Sequence, residues 1–171
     1  GTEAEWLDDL ANGRLSTKAK HTVTFDLSNI ANYLPEGTTI PDCLVETGEK
    51  VTDPNLAPNL RGYDIVWYFE DTDFEWVFRG YSVSEDFTLT AKLKPKKEMQ
   101  YFIFSSTEDT CIITGTKELY LPNLYIPGYV TEIATAAFEN CNFREIVIAE
   151  GVTKIGTRAF NGNDDLKTLS L

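Results

Sequence analysis

Histidine, cysteine and basic residues are all scarce in this chain, and each shortage removes a class of chemistry. The 171 residues hold one histidine, His21, so no multi-histidine zinc site can be assembled. The three cysteines, Cys43, Cys111 and Cys141, are too far apart in sequence for metal-ligand spacing. Their odd number excludes complete internal pairing, and small disulfide-dependent domains carry more, so burial must supply most of the stability. A Cys–His nucleophile would have to use His21, which lies in a Lys-rich stretch with nothing adjacent to orient it. Lys and Arg total 15 against 27 Asp and Glu, a formal charge of −12. That balance argues against nucleic acid or an anionic membrane as partner. No apolar run approaches the ~20 residues that span a bilayer, so membrane insertion by this segment is not expected. Nor is a catalytic residue, cofactor or metal.

What is present is a folding composition, 42% hydrophobic with 3 Trp, 8 Tyr and 10 Phe. Three regions separate by pattern. In residues 1–20, Thr2-Glu3-Ala4-Glu5 reads as a capping box. Trp6, Leu7 and Leu10 follow at helical spacing, and Asn12-Gly13 reads as a stop. The pattern predicts one short helix and a lead-in, docked on the rest because an isolated helix of that length is marginal in water.

The second region, 21–94, carries most of the acidic excess. Val23, Phe25 and Leu27 alternate with Thr22, Thr24 and Asp26, the period of a half-buried strand. A Pro- and Gly-punctuated stretch (Pro35 to Pro58) excludes a long helix. Gly62–Phe69 reads as a buried strand, Phe74–Phe78 as its continuation after a turn, and Phe87, Leu89 and Ala91 as a last strand. Lys94-Pro95-Lys96-Lys97 opens a linker (95–99) to the third region, 100–171.

That region contains a repeat. Ile126–Phe138 aligns with Ile148–Phe160 at an offset of 22, with seven of 13 pairs identical, and the offset lengthens to 23 beyond it. The period matches leucine-rich repeats. Leu124/Ile126, Ile146/Ile148 and Leu169/Leu171 should stack inward as ladders of a parallel sheet, with Val-Thr-x-Ile turning the chain and Ala-Phe placing a ring between repeats. Tyr101–Gly115 reads as a hairpin capping one end (100–115) of the repeats (121–171). At the other end Leu171 follows directly on a strand, an edge that further repeats or another element would cover.

The motif Ile126-Pro127 … Val130-Thr131-x-Ile133 … Ala137-Phe138-x-x-Cys141 … Ile146-Val147-Ile148, with the Cys111–Gly115 run before it, resembles the BspA-like leucine-rich repeat of bacterial surface proteins. Ala149 replaces the expected Pro and Asn163 the second Cys, and both substitutions are expected to weaken their turns. Residues 21–93 resemble the internalin-type B-repeat (the Listeria–Bacteroides repeat) through Val23-Thr24-Phe25-Asp26, Gly62-Tyr63-x-x-x-Trp67-Tyr68 and Asp86-x-Thr88-Leu89-x-Ala91-Lys92, with Val66 and Leu93 departing from its pattern. The resemblances imply a mostly β chain of two modules: a small β-grasp-like sheet, then a short leucine-rich-repeat solenoid with an N-terminal capping hairpin. They also imply export to a bacterial cell surface, extracellular or secreted.

Three candidate surfaces remain. The acidic turn Glu70–Glu75 offers oxygen donors for Ca²⁺, but lacks the Gly and distal Glu of an EF-hand loop, and a solvated turn is the expectation. Trp67, Tyr68 and Trp76 offer a ring platform, with buried packing expected for Trp67 and exposure for Trp76. The outward column of the repeat sheet, Tyr125, Val147 and Ser170 beside Asn123, Glu145 and Thr168, is the favoured partner face. The reading is a non-enzymatic surface protein for adhesion, binding a protein or glycan, or a spacer presenting other domains. The alternative is a carboxylate-dependent hydrolase using Asp71 and Asp73.

Overall fold

The computed structural model describes residues 2–13, 18–118 and 121–171. Residues 14–17 of the expected lead-in lie outside them. The chain divides into two compact units: one of residues 1–29, 39–55 and 66–92, the other of residues 30–38, 56–65 and 93–171. This partition interleaves segments that the sequence reading kept contiguous.

In the first unit, α1 (Glu3–Ala11) starts on the predicted capping box: Glu5 N–H donates to Thr2 Oγ1 at 3.3 Å, and Thr2 N–H to Glu5 Oε2 at 2.7 Å. Asn12 closes it and Gly13 takes φ +68°. The expected docking does not occur. No residue of α1 is buried, and Trp6, Leu7 and Leu10 are exposed. The helix is held by its caps, not by its apolar stripe.

Strands β1 (Lys20–Asp26), β2 (Cys43–Glu46), β3 (Tyr63–Phe69) and β4 (Phe87–Pro95) form a mixed sheet in the order β2-β1-β4-β3. β1 runs antiparallel to β2 and parallel to β4, pairing Val23 with Phe87 and Phe25 with Leu89. Alternation sends Val23, Phe87, Leu89 and Ala91 inward, where all four are buried. β2 was not anticipated. Instead of the strand expected over Phe74–Phe78 there is a single antiparallel bridge, Tyr68 to Glu75. Trp76 N–H still bonds Trp67 O at 2.7 Å, but Phe74 and Val77 stay exposed.

In the second unit a 3-10 turn, Lys97–Met99, occupies the expected linker; Lys96 N–H bonds Gly62 O and Met99 is fully buried. β5 (Phe102–Ser106) and β6 (Cys111–Thr116) form the predicted hairpin. β7 (Asn123–Ile126), β8 (Glu132–Ile133), β9 (Glu145–Ile148), β10 (Lys154–Ile155) and β11 (Thr168–Ser170) follow. They make two parallel ladders: β7-β9-β11, and β6-β8-β10 with β5 outside β6. Val-Thr-x-Ile therefore does more than turn the chain. It supplies a second strand per repeat, with Glu132 and Lys154 in register and ion-paired at 2.9 Å.

Between the ladders the backbones bond repeat to repeat: Thr153 N to Thr131 O, Gly156 N to Ile133 O, Ala136 N to Thr157 O, Phe138 N to Ala159 O and Asn140 N to Asn161 O, all 2.7–3.0 Å. Conformation repeats with them. Ala136 and Arg158 both take left-handed φ (57° and 58°), as do Asn140 and Gly162. A left-handed Ala or Arg costs about 1 kcal/mol, a cost accepted at each repeat to turn the chain toward its neighbour. At Gly156 a Cβ would collide with the Ala134–Thr135 backbone, so the close approach there requires glycine. Phe138 and Phe160 stack 5.6 Å apart with planes 12° from parallel, as the repeat predicts, and Phe102 and Phe143 meet Phe138 edge-on.

At both departures from the expected pattern the residue present is held by hydrogen bonds. Ala149, in place of Pro, has an N–H, and it donates to Ile126 O at 2.9 Å. Asn163, one repeat after buried Cys141, is itself buried and donates to Phe138 O and Phe160 O at 2.8 and 2.7 Å. Its Oδ1 accepts Phe143 N–H at 3.1 Å. Glu139 is clasped by Arg158 (2.6 Å) and Asn161 (3.0 Å), and these donors hold its carboxyl below the usual glutamate range.

Two outcomes follow. Phe138→Ala should cost about 3–5 kcal/mol in urea unfolding, whereas Leu169→Ala, 50% exposed, should cost about 1 kcal/mol or less. Because folding lowers the Glu139 pKa, its contribution is complete above the unfolded value of about 4.3 and fades as pH falls through the folded value. The melting temperatures of wild type and Glu139→Gln should therefore differ at pH 7 and converge towards pH 3. A constant difference would contradict the clasp.

Candidate functional site

The β7-β9-β11 ladder brings the six predicted face residues together. Asn123, Glu145 and Thr168 share one row, and Tyr125, Val147 and Ser170 the next. The intervening row, Leu124–Ile146–Leu169, points the other way: Leu124 and Ile146 are buried, with Leu169 half-exposed on the last strand. Period-two alternation thus sorts core from face with no exception in β7 and β9. Tyr125 is 55% exposed, Val147 and Glu145 are partly buried, and Asn123, Thr168 and Ser170 are exposed.

The strands are placed by the turns that precede them. Arg144 and Glu145 N–H groups converge on Pro122 O, and those of Lys167 and Thr168 on Arg144 O, so each strand enters at the same height on its neighbour. The Phe143 bond to Asn163 fixes the entry to β9. Parallel strands lie about 4.8 Å apart, so three of them give a face only about 10 Å wide. On the outer side of β7, Asn123 and Tyr125 border a cavity of about 200 Å³ whose wall includes Glu98 and Tyr101. Tyr101, half-exposed on the turn before β5, flanks the face although no repeat or alternation in the chain marks it.

The other candidates fare differently. Trp67 is buried as expected, against Phe25 (5.2 Å) and Phe78 (6.4 Å). Trp76, expected exposed, is 8% exposed and packs on Phe69, Tyr81 and Phe87 at 4.9–6.3 Å. The platform does not form. The acidic turn is organised by its own hydrogen bonds: Thr72 N–H to Phe69 O, Phe74 N–H to Thr72 Oγ1, and Glu70 bonding Thr88 through backbone and side chain. Asp71 and Asp73 are exposed there.

His21 does have neighbours: Nε2 lies 2.8 Å from Thr47 Oγ1, and Nδ1 3.7 Å from Asp86. The Thr47 hydroxyl also lies 3.2 Å from Ala19 O, which it can donate to. The group is a clasp joining β1 to the residue after β2. Burial pushes the Cys43, Cys111 and Cys141 thiols up, away from the thiolate that nucleophilic chemistry needs.

Removing the Asn163 amide would leave Phe138 O, Phe160 O and Phe143 N without their partner. Asn163→Ala is therefore expected to cost about 3 kcal/mol in chemical denaturation and to increase amide exchange at the start of β9. A cost below about 1 kcal/mol would show that the amide is dispensable.

The family comparison falls on this same region. The family model described as BspA type leucine-rich repeat region (6 copies) matches residues 116–171. No curated protein matches the chain. Among solved structures, a leucine-rich-repeat protein of T. pallidum is 28% identical, with a TM-score of 0.40 over 46% of this chain. The match spans 38% of that protein's length. The family match and the repeat itself support a leucine-rich-repeat protein, and it is the segment 116–171 that is similar to the BspA type.

Proposed function

We propose that this chain is a non-enzymatic binding segment of a bacterial surface protein, and that Asn123, Tyr125, Glu145, Val147, Thr168 and Ser170 form the face that meets a protein ligand. The observation carrying the reading is the register of β7, β9 and β11, which sets these six side chains in two rows opposite a buried row. The BspA-type match supports a protein-binding or adhesion role, and the association of that family with bacterial surfaces supports the location. In this reading the repeats pile into a short solenoid. The mixed sheet, with β1 parallel to β4 and antiparallel to β2, serves as a β-grasp-like module of the internalin B-repeat kind. Protein is favoured over glycan because Tyr125 and Val147 add apolar contact and the face holds one carboxylate.

Size limits the affinity. A standard interface buries about 800 Å² on each partner, more than six side chains on three strands supply. The face therefore works with neighbouring surface or through repeated copies. Immobilised host matrix proteins and glycans, probed with the chain, should give weak saturable binding to a protein. Tyr125→Ala with Val147→Glu should reduce it at least tenfold while the melting temperature stays within about 2 °C, since neither side chain is fully buried. Binding unchanged in the double variant would remove the face from the proposal.

A further inference from the structure

We infer that the cavity on the outer side of β7 is a pocket for one basic side chain, a lysine or arginine carried by the protein ligand of the repeat face. The inference rests on the reading of that face as a ligand surface, and adds the charge that the ligand must bring. Phe102 and Leu124 are buried and give the cavity an apolar floor, with Leu121 partly buried beside them. Tyr101 and Tyr125 give it a rim; 39% and 55% exposed, they leave part of each ring open to a ligand. Among the described residues of the wall, Glu98 alone is charged.

Charge and size choose the occupant. The Tyr129 hydroxyl donates to Glu98 Oε1 at 3.0 Å, which fixes the carboxylate and leaves Oε2 without a donor among the described residues. Burial and the neighbouring carboxylate push the Tyr129 phenol up, so it stays a donor and Glu98 stays the acceptor. No ion pair among the described residues joins Glu98 to a lysine or arginine: Lys96 is bound to Asp64, and Lys97 is exposed and outside the cavity wall. An acidic ligand group would meet repulsion here, and an apolar one would desolvate the carboxylate with nothing in return. A basic side chain meets neither cost. Its aliphatic stem lies on the floor while its head stays at the wet rim, beside Glu98 and over the tyrosine rings, whose faces attract cations. At about 200 Å³ the cavity is smaller than the sites of about 300–1,000 Å³ that take small molecules, so it suits one side chain.

The test titrates the isotope-labelled whole chain, at low salt, with three blocked tripeptides that carry lysine, arginine or norleucine between two alanines. Amide shifts of Glu98, Leu124 and Tyr125 report binding. Norleucine has the lysine stem without its charge, and should bind about fivefold more weakly than the better of the basic peptides, which names the head group. Glu98→Gln keeps an acceptor for the Tyr129 hydroxyl and loses the charge, so it should bring all three peptides to within about twofold of one another. Tyr101→Leu keeps apolar area but removes a ring face, and should reduce the preference by about twofold. If the glutamine variant unfolds, the wild type decides: nuclear Overhauser contacts should join the lysine ε-methylene to the rings of Tyr101 and Tyr125. Equal binding of the norleucine peptide, a preference kept by folded Glu98→Gln, or no contact with either ring overturns the inference. The two sites fail separately. Loss of the tripeptide preference with matrix-protein binding intact removes the pocket and leaves the face. A tripeptide preference without binding to any matrix protein removes the face and leaves the pocket.

Discussion

The second unit depends on one constraint: each repeat must satisfy its backbone and its apolar face against the next, because a single repeat can do neither alone. Hydrogen bonding at an offset close to 22 residues fixes the height of every atom relative to its equivalent. Once that height is fixed, like must lie on like. Phe160 lies on Phe138, the left-handed turn at Arg158 on that at Ala136, and Lys154 opposite Glu132. Gly156 follows from the same spacing, since the preceding backbone occupies the place of a side chain.

That constraint also explains what could be read without coordinates. A period imposed by stacking leaves identical residues at equal intervals, so the ladder Leu124–Ile146–Leu169, the ring stack and the face rows are all visible in the spacing of Ile126–Phe138 and Ile148–Phe160. The capping box of α1 and the β5–β6 hairpin were legible because their signals are local. What escaped was either too short or depended on distant partners. Two-residue strands such as β8 and β10 show no alternation. β2 is four residues inside a Pro- and Gly-rich stretch, and its pairing with β1 is set by chain far away. Asn163 looked like a lost cysteine because its value lies in three backbone groups it reaches across the turn. Trp76, beside Glu75 on an acidic turn, looked exposed; the rings that bury it come from β3, β4 and Tyr81.

The proposed repeat face rests on the same rigidity. A face made of alternate side chains on paired strands keeps its shape when a ligand arrives, so little ordering entropy opposes binding. Its narrowness sets the price in area.

The most direct test of repeat-on-repeat pairing is residue-resolved amide hydrogen exchange over a urea series. The N–H groups of Ala136, Phe138, Asn140, Ala149, Thr153 and Gly156 each donate to a carbonyl of an adjacent repeat. They should be strongly protected and lose protection together, as one cooperative unit. Exchange of these amides at the rate of an unfolded peptide in the absence of urea, or loss of protection one by one at unrelated urea concentrations, would contradict the account.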